Sequence, residues 1–457
     1  MSLPFKNKVG YGIAEIGITS VQLLTQIYLL KYYTEVVGLS PALTGIALSI
    51  SIFWDAISDP LMGIISDNTR SSWGKRRPYI LFGGFLLSLT IILLFSPPAL
   101  ESQTGKFLIL LSTYLLVNTA MTIISVPHIS LGGELTTDRN ERTELYGWRL
   151  VFSNLGMLVG MIVPVLVLST FSDPKSIEAI SESRSDSATI IAGILFLSSV
   201  ATFLLTKEKT DETIPRSVSF KHLFVSLFSV LKNKAFVPLF IAFFIATFGR
   251  IFNSSLALYY YEFRLGLPES QVVLNILLPF FLVILASVPF WVSISKRYGK
   301  KFPAFIGVLG LGVMTIIVYP LFPKGELRPP LIAAFLGGIF AGSILLFDSI
   351  VSDIVDYDRL KTKENREGLF FGFWKMGTKL AQALAIAASG FALEAIGFVQ
   401  GSVTQSPEIG FPLAILFGPV VGSFFVLGSF VFLLMPLTDE KHIQVQRILK
   451  RKNKFLL

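Results

Sequence analysis

Apolar residues in this chain gather into long runs separated by short polar connectors. A helix needs about 20 mostly apolar residues to cross the hydrocarbon core of a bilayer. Twelve runs meet that length and are predicted as spanning helices: 9–37, 42–66, 79–97, 107–133, 145–170, 188–206, 235–261, 271–295, 302–322, 331–356, 368–397 and 410–436. The fold class expected is all-α, a polytopic membrane protein. A polar stretch separates the first six runs from the last six, so the domains expected are a bundle over 1–206, a linker over 207–234, a second bundle over 235–438 and a basic tail over 439–457. Between Ser217 and Lys234 the spacing of Phe220, Leu223, Phe224, Leu227, Phe228 and Leu231 predicts an amphipathic helix lying on the membrane surface.

The two halves repeat. Gly74-Lys75-Arg76-Arg77-Pro78 after the second run corresponds to Gly299-Lys300-Lys301-Phe302-Pro303 after the eighth, and Gly147-Trp148-Arg149 to Gly372-Phe373-Trp374-Lys375 at the same offset. Two matches at one offset point to duplication. Six helices, a polar connector and six more is the plan of a secondary transporter built from repeats, with its central site between two bundles.

Composition agrees with the pattern. Of 457 residues 52% are hydrophobic and 15% charged, and the mean hydropathy is +0.67, against about 25% charged in soluble domains. The formal charge of +9 does not call for nucleic acid. Its basic residues fall in connectors on one side of a twelve-helix chain: Arg70, Lys75, Arg76 and Arg77; Lys207, Lys209, Arg216, Lys221, Lys232 and Lys234; Lys296, Arg297, Lys300 and Lys301; and the tail residues Arg447, Lys450, Arg451, Lys452 and Lys454. That bias is how orientation is encoded, and it predicts both termini in the cytoplasm. The absence of cysteine excludes disulfides and thiolate metal sites. Met1 to Lys8 reads as a short cytoplasmic lead with no cleavable signal.

Against this apolar background Trp54-Asp55-Ala56-Ile57-Ser58-Asp59-Pro60 stands out. Carboxylates within a span are costly and mark ion or substrate paths. Residues four apart share a helix face, so Asp55 and Asp59 converge, and two neighbouring carboxylates in a low dielectric favour a bound cation or a shared proton. A structural ion pair with a cationic neighbour is the competing reading.

Tyr11-Gly12, the Trp54 to Pro60 segment, the Gly74 to Pro78 loop and Asp353-Ile354-Val355-Asp356-Tyr357 followed by Lys379 resemble the glycoside-pentoside-hexuronide:cation symporter family of the major facilitator superfamily, over nearly the whole chain. The resemblance implies two six-helix bundles, symport by alternating access, and a sodium, lithium or proton site formed by Asp55, Ser58, Asp59 and Thr122. It gives Lys379 the role of a central cation linking the acids to the substrate, and it matches Arg149 and Trp374 to sugar-contacting positions. Ser58 departs from the best-studied member, which has asparagine there; a hydroxyl is a poorer ligand than an amide carbonyl, and this favours a proton over sodium. That member's sugar-binding acids are also missing, since Thr19 and Ser125 occupy their positions. Animal sodium-dependent lysophospholipid symporters show the same pattern.

Other polar residues complete the candidate site. Asn118, Thr122 and Ser125 form a stripe on the fourth helix that either lines a cavity or packs helices. Arg250 and Asp348 lie within the seventh and tenth helices, where they bind an anionic substrate group or each other. Glu15 is a proton acceptor or a partner for Arg149 or Lys379. His128 is a proton relay or a packing residue, and Tyr259, Tyr260 and Tyr261 read as an interfacial belt, as do Trp148 and Trp374. Asp67, Arg142, Asp356 and Arg366 are expected to gate the path through opposite charges on the two halves.

The function expected is cation-coupled symport of a sugar, glycoside or uronide, with a lysophospholipid or other amphiphile carrier as the alternative and a non-transporting membrane sensor as the alternative of another class. No nucleophile–base arrangement, metal motif or phosphate-binding glycine loop appears, so neither an enzyme nor a cofactor beyond the coupling ion, sodium or proton, is expected. The expected location is a bacterial inner membrane, as a monomer, with a small sugar-like substrate and no nucleic-acid partner.

Overall fold

The computed structural model describes residues 3–136, 138–208, 226–364 and 366–437, with 441, 444, 445, 447 and 448 of the tail; of Arg139 only the backbone is described. The linker segment 209–225 with its charges Lys209, Arg216 and Lys221, and tail residues Lys450, Arg451, Lys452 and Lys454, lie outside the described residues. Of the proposed surface helix, only Ser226 to Phe228 and the tighter turn Ser229–Lys232 are seen.

Twelve helices among the described residues are long and apolar enough to cross a membrane: α1 Phe5–Val36, α2 Pro41–Asp67, α3 Arg77–Phe95, α4 Gln103–Glu134, α5 Asn140–Leu168, α6 Ile177–Leu205, α7 Phe236–Arg264, α8 Glu269–Tyr298, α9 Lys301–Leu321, α10 Arg328–Thr362, α11 Glu367–Ala395 and α12 Pro407–Leu433. This is the all-α, multi-pass membrane fold the hydrophobic pattern predicts. The largest boundary difference is at α6, expected to begin at 188. Ser176 caps it by accepting the Ala179 N–H at 3.2 Å, and Arg184, a residue that reads as connector, is buried with its guanidinium 4.4 Å from the Tyr28 ring centroid.

The chain forms two compact units, Met1–Ser217 with Ile386–Ser406, and Val218–Ala385 with Pro407–Leu457. In the first, α1 packs on α5 and α6, α3 on α4 and α6, and α2 on α4. In the second, α7 packs on α12, α9 on α10 and α12, and α8 on α10. Once six helices are subtracted, α7·α12, α9·α10, α9·α12 and α8·α10 repeat pairings of the first unit. The duplication therefore extends to packing.

It extends to backbone detail as well. Gly74 and Gly299 both adopt positive φ, +102° and +77°, a region glycine enters without a Cβ penalty. Helices α1 and α7 both end in a widened turn, Tyr32–Val36 and Tyr260–Arg264. Each is closed by a left-handed glycine, Gly38 at +71° and Gly266 at +72°. Leu39 and Leu267 then donate back to the carbonyls of Tyr33 and Tyr261 at 2.9 and 3.0 Å. Tyr259, Tyr260 and Tyr261 are buried rather than placed in an interfacial belt. Tyr260 stacks on Phe417 with centroids 4.3 Å apart and donates its hydroxyl to the Tyr319 carbonyl at 2.6 Å.

At the start of α2 the first unit also includes the end of α11. Gly45 and Gly390 face that contact, where a Cβ on Gly45 would lie 2.9 Å from the Ile386 carbonyl oxygen. The Ala42 N–H donates to Glu394 at 3.1 Å, and the Gly401 N–H to the Thr34 carbonyl at 2.8 Å.

Candidate cation and substrate site

All four residues expected at the cation site meet in the first unit. The α2 helix turns Asp55 and Asp59 to one face, and α4 brings Thr122 against them. The Thr122 hydroxyl oxygen lies 2.7 Å from Asp55 Oδ1, 2.9 Å from Asp59 Oδ1 and 3.1 Å from the Ser58 hydroxyl. Thr122 and Ser58 are buried, while both carboxylates are partly accessible. A threonine hydroxyl has one proton and donates to one acceptor at a time. Two carboxylate oxygens within 3 Å of a single hydroxyl oxygen call for positive charge close by, which a proton on one acid, a bound cation or a cationic side chain can supply. Asp55 and Asp59 have additional interactions beyond Thr122.

A second polar cluster lies between α1, α4 and α5. Glu15 is buried and bonded to the Arg149 Nε. Its Oε1 is 3.3 Å from His128 Nδ1, and Thr19 Oγ1 donates to its Oε2 at 3.3 Å. His128 Nε2 lies 2.7 Å from the Tyr11 carbonyl oxygen, so that nitrogen is the donor. The ring is fully buried and stacked on Tyr11 with centroids 4.8 Å apart. Of the two partners open to Glu15, Arg149 is the one it bonds, while His128 Nδ1 stands nearby without a hydrogen bond among the described residues. Thr19 also meets Ser153 at 3.0 Å, a residue without a distinctive signal in the sequence. On α4, Asn118 Nδ2 is buried with no hydrogen-bond partner among the described residues, and Ser125 is half-buried.

The second unit contains Arg250, Asp348, Trp374 and Lys379. Trp374 is buried rather than interfacial; it stacks on Phe243 with centroids 3.9 Å apart and donates its indole N–H to Asp348 Oδ1 at 2.8 Å. Of the two readings of Arg250 and Asp348, mutual pairing is not what is seen. The carboxylate is engaged by the indole, and Arg250 is exposed with no hydrogen bond or ion pair among the described residues. Lys379 is half-buried at the middle of α11 and is held in an interaction.

The residues expected to gate have partners as follows. Asp67 bonds Arg76, and Arg76 also reaches Glu134 Oε1 at 2.9 Å and the Ser66 hydroxyl. Burial alone would lower the Arg76 pKa; Glu134 and Asp67 outweigh it, and the net direction is upward. The Glu208 carboxylate accepts the N–H groups of Lys75, Arg76 and Arg77 at the start of α3, a favourable place for an anion. Arg142 donates to the carbonyls of Thr136 and Gly133, both at 2.9 Å. Arg366 forms a bidentate pair with Asp358, Nε to Oδ2 at 2.9 Å and Nη2 to Oδ1 at 2.8 Å, and Asn233 donates to the same carboxylate at 3.0 Å. Asp67 and Arg366 are thus paired inside their own units, and Asp356 is engaged as well. Glu134, Glu208 and Asp358 were not singled out in the sequence. Their acidic character beside basic connectors was the available signal.

A family model described as MFS/sugar transport protein matches residues 10–439. The putative glycoside/cation symporter YagG of Escherichia coli is 27% identical, with 97% of this chain and 95% of that protein aligned. The sodium-dependent lysophosphatidylcholine symporter 1 of Gallus gallus is 25% identical, with 93% of this chain and 84% of that protein aligned. The crystal structure of the nucleoside transporter NupG has the same fold, with a TM-score of 0.64 at 16% identity over 94% of this chain and 100% of that one.

Proposed function

This chain belongs to the MFS/sugar transport protein family, and from that premise we propose that it is a secondary active symporter, moving a sugar, glycoside or uronide together with sodium or a proton. The observation that carries the reading is the convergence of Asp55, Asp59 and Ser58 on the Thr122 hydroxyl. That arrangement gathers two carboxylates and two hydroxyl oxygens, the donor set that seats a monovalent cation or a proton. The similarity to a glycoside/cation symporter supports the same assignment. The ion neutralises the acid pair, and the neutralised protein exchanges conformation more readily than one carrying uncompensated charge in the membrane. Lys379, mid-span in α11, serves as the coupling charge, and Glu15 with Arg149 as the polar link of the first unit. Thr19, Asn118, Ser125 and Arg149 in the first unit, and Arg250, Asp348 and Trp374 in the second, are the substrate-contact candidates.

The basic connectors support cytoplasmic termini, and the similarity to an Escherichia coli symporter supports a bacterial inner-membrane location. A lysophospholipid is the second reading, supported by the similarity to a lysophosphatidylcholine symporter.

The test is uptake into proteoliposomes across a panel of sugars, uronates and lysophospholipids, with imposed sodium or proton gradients. The expected result is accumulation driven by one of the two gradients and abolished by Asp55→Asn and by Asp59→Asn. Undiminished concentrative uptake in both variants would sink the proposal.

A further inference from the structure

Arg250 is a guanidinium at the centre of the α7 span, exposed on its unit's surface and without a hydrogen bond or ion pair among the described residues. A lone guanidinium turned to hydrocarbon is costly, so mid-span arginines face water or a partner. The direction of this one follows from helix phase. Phe243, Thr247 and Arg250 recur at i, i+4 and i+7, which puts them on one face. Phe243 stacks on Trp374 of α11, and Thr247 is buried. Arg250 therefore stands on the face that α7 turns toward α11, not on the opposite face where Ile241 is exposed. Trp374 in turn fixes Asp348 by its indole N–H, leaving the rest of that exposed carboxylate accessible as an acceptor. About 10 Å of helix rise separates Phe243 from Arg250. That length leaves room for a polyhydroxylated ring between the Trp374-held acid and the guanidinium.

We propose that Arg250 is an anion-recognition subsite of the second unit and that the transported molecule carries both hydroxyl groups and an anionic group. The guanidinium takes a carboxylate or phosphate in a bidentate fork, Asp348 accepts hydroxyl protons and repels a second anion, and Trp374 fixes the orientation of Asp348. This rests on the symport reading above and refines its substrate class. A carboxylate would come from a uronic acid and a phosphate from a lysophospholipid headgroup.

The experiment measures binding to the purified full-length protein with D-glucuronate, methyl β-D-glucopyranoside and lysophosphatidylcholine as probes, for the unaltered chain, Arg250→Gln and Arg250→Lys. The readout is the affinity ratio of each probe that carries an anionic group, the uronate carboxylate or the phosphate of the zwitterionic headgroup, to the neutral glycoside. The unaltered protein is expected to prefer one of those two probes, which identifies the source of the anion. Arg250→Gln should collapse that preference by about 30-fold, and Arg250→Lys should restore part of it. A protein that prefers the neutral glycoside, or an anion preference that survives Arg250→Gln, would overturn the subsite. A Tm in detergent unchanged from the unaltered chain shows that Arg250→Gln is folded. Loss of gradient coupling in Asp55→Asn, scored separately, decides the symport reading.

Discussion

Replacing Thr122 by valine removes one oxygen and nearly no volume, so the change isolates the hydroxyl at the acid pair. Its oxygen is 2.7 and 2.9 Å from the two carboxylates and 3.1 Å from Ser58. One proton serves one acceptor at a time, so the loss is one charge-assisted bond rather than two. Such a bond contributes about 1.5–3 kcal/mol, and about 1.4 kcal/mol is tenfold in affinity. Because that bond favours the ionised, empty acid pair, the half-saturating proton concentration should fall about 10- to 100-fold in Thr122→Val, whereas a sodium seat that uses the oxygen as a ligand should weaken; Thr122→Ser, which keeps the oxygen, stays near the original value. Initial uptake rates in proteoliposomes, titrated with sodium at fixed pH and with protons at fixed sodium, give the measurement for either ion. If the valine variant shows an unchanged half-saturation for whichever ion drives uptake, the hydroxyl is no part of the seat and the charge argument built on it fails.

Other expectations follow from the same geometry. Glu15→Gln leaves Arg149 without its buried carboxylate partner, and breaking such a pair should cost about 3–5 kcal/mol, read as a lowered Tm in detergent. Gly266→Ala meets no atom within 4 Å, so any loss reports left-handed backbone strain alone, about 1–2 kcal/mol. Gly45→Ala must instead move the Ile386 carbonyl, 2.9 Å from the new Cβ; overpacking of about 1–3 kcal/mol should appear as easier proteolysis at the end of α11. Arg76→Ala removes bonds to Asp67, Glu134 and Ser66 and should lower stability by about 2–3 kcal/mol. Because the folded-state pKa of Arg76 is raised, that contribution is fully present below the ordinary arginine value and is lost only at still higher pH. The stability difference between Arg76→Ala and the unaltered chain should then show no loss of the arginine's charge anywhere from pH 6 to 9.

The architecture was legible because the bilayer imposes a length on every span and the chain repeats that length twelve times. The proximity of the candidate residues was legible for a similar reason: Asp55, Ser58 and Asp59 lie within one turn of one helix, and local periodicity alone puts them together. Sequence by itself thus determined the number of spans, the duplicated halves and the carboxylate pair. Only the tertiary structure decided which helix faces those acids, since Thr122 reaches them by the packing of α4 on α2, and a threonine on a polar stripe carries no mark of its partner. The same holds for Glu15 with His128 and Arg149, and for Asp348, which bonds Trp374 and leaves Arg250 exposed. Charges far apart in sequence are paired by how helices cross and rotate, and those contacts depend on many small apolar fits that no single residue encodes.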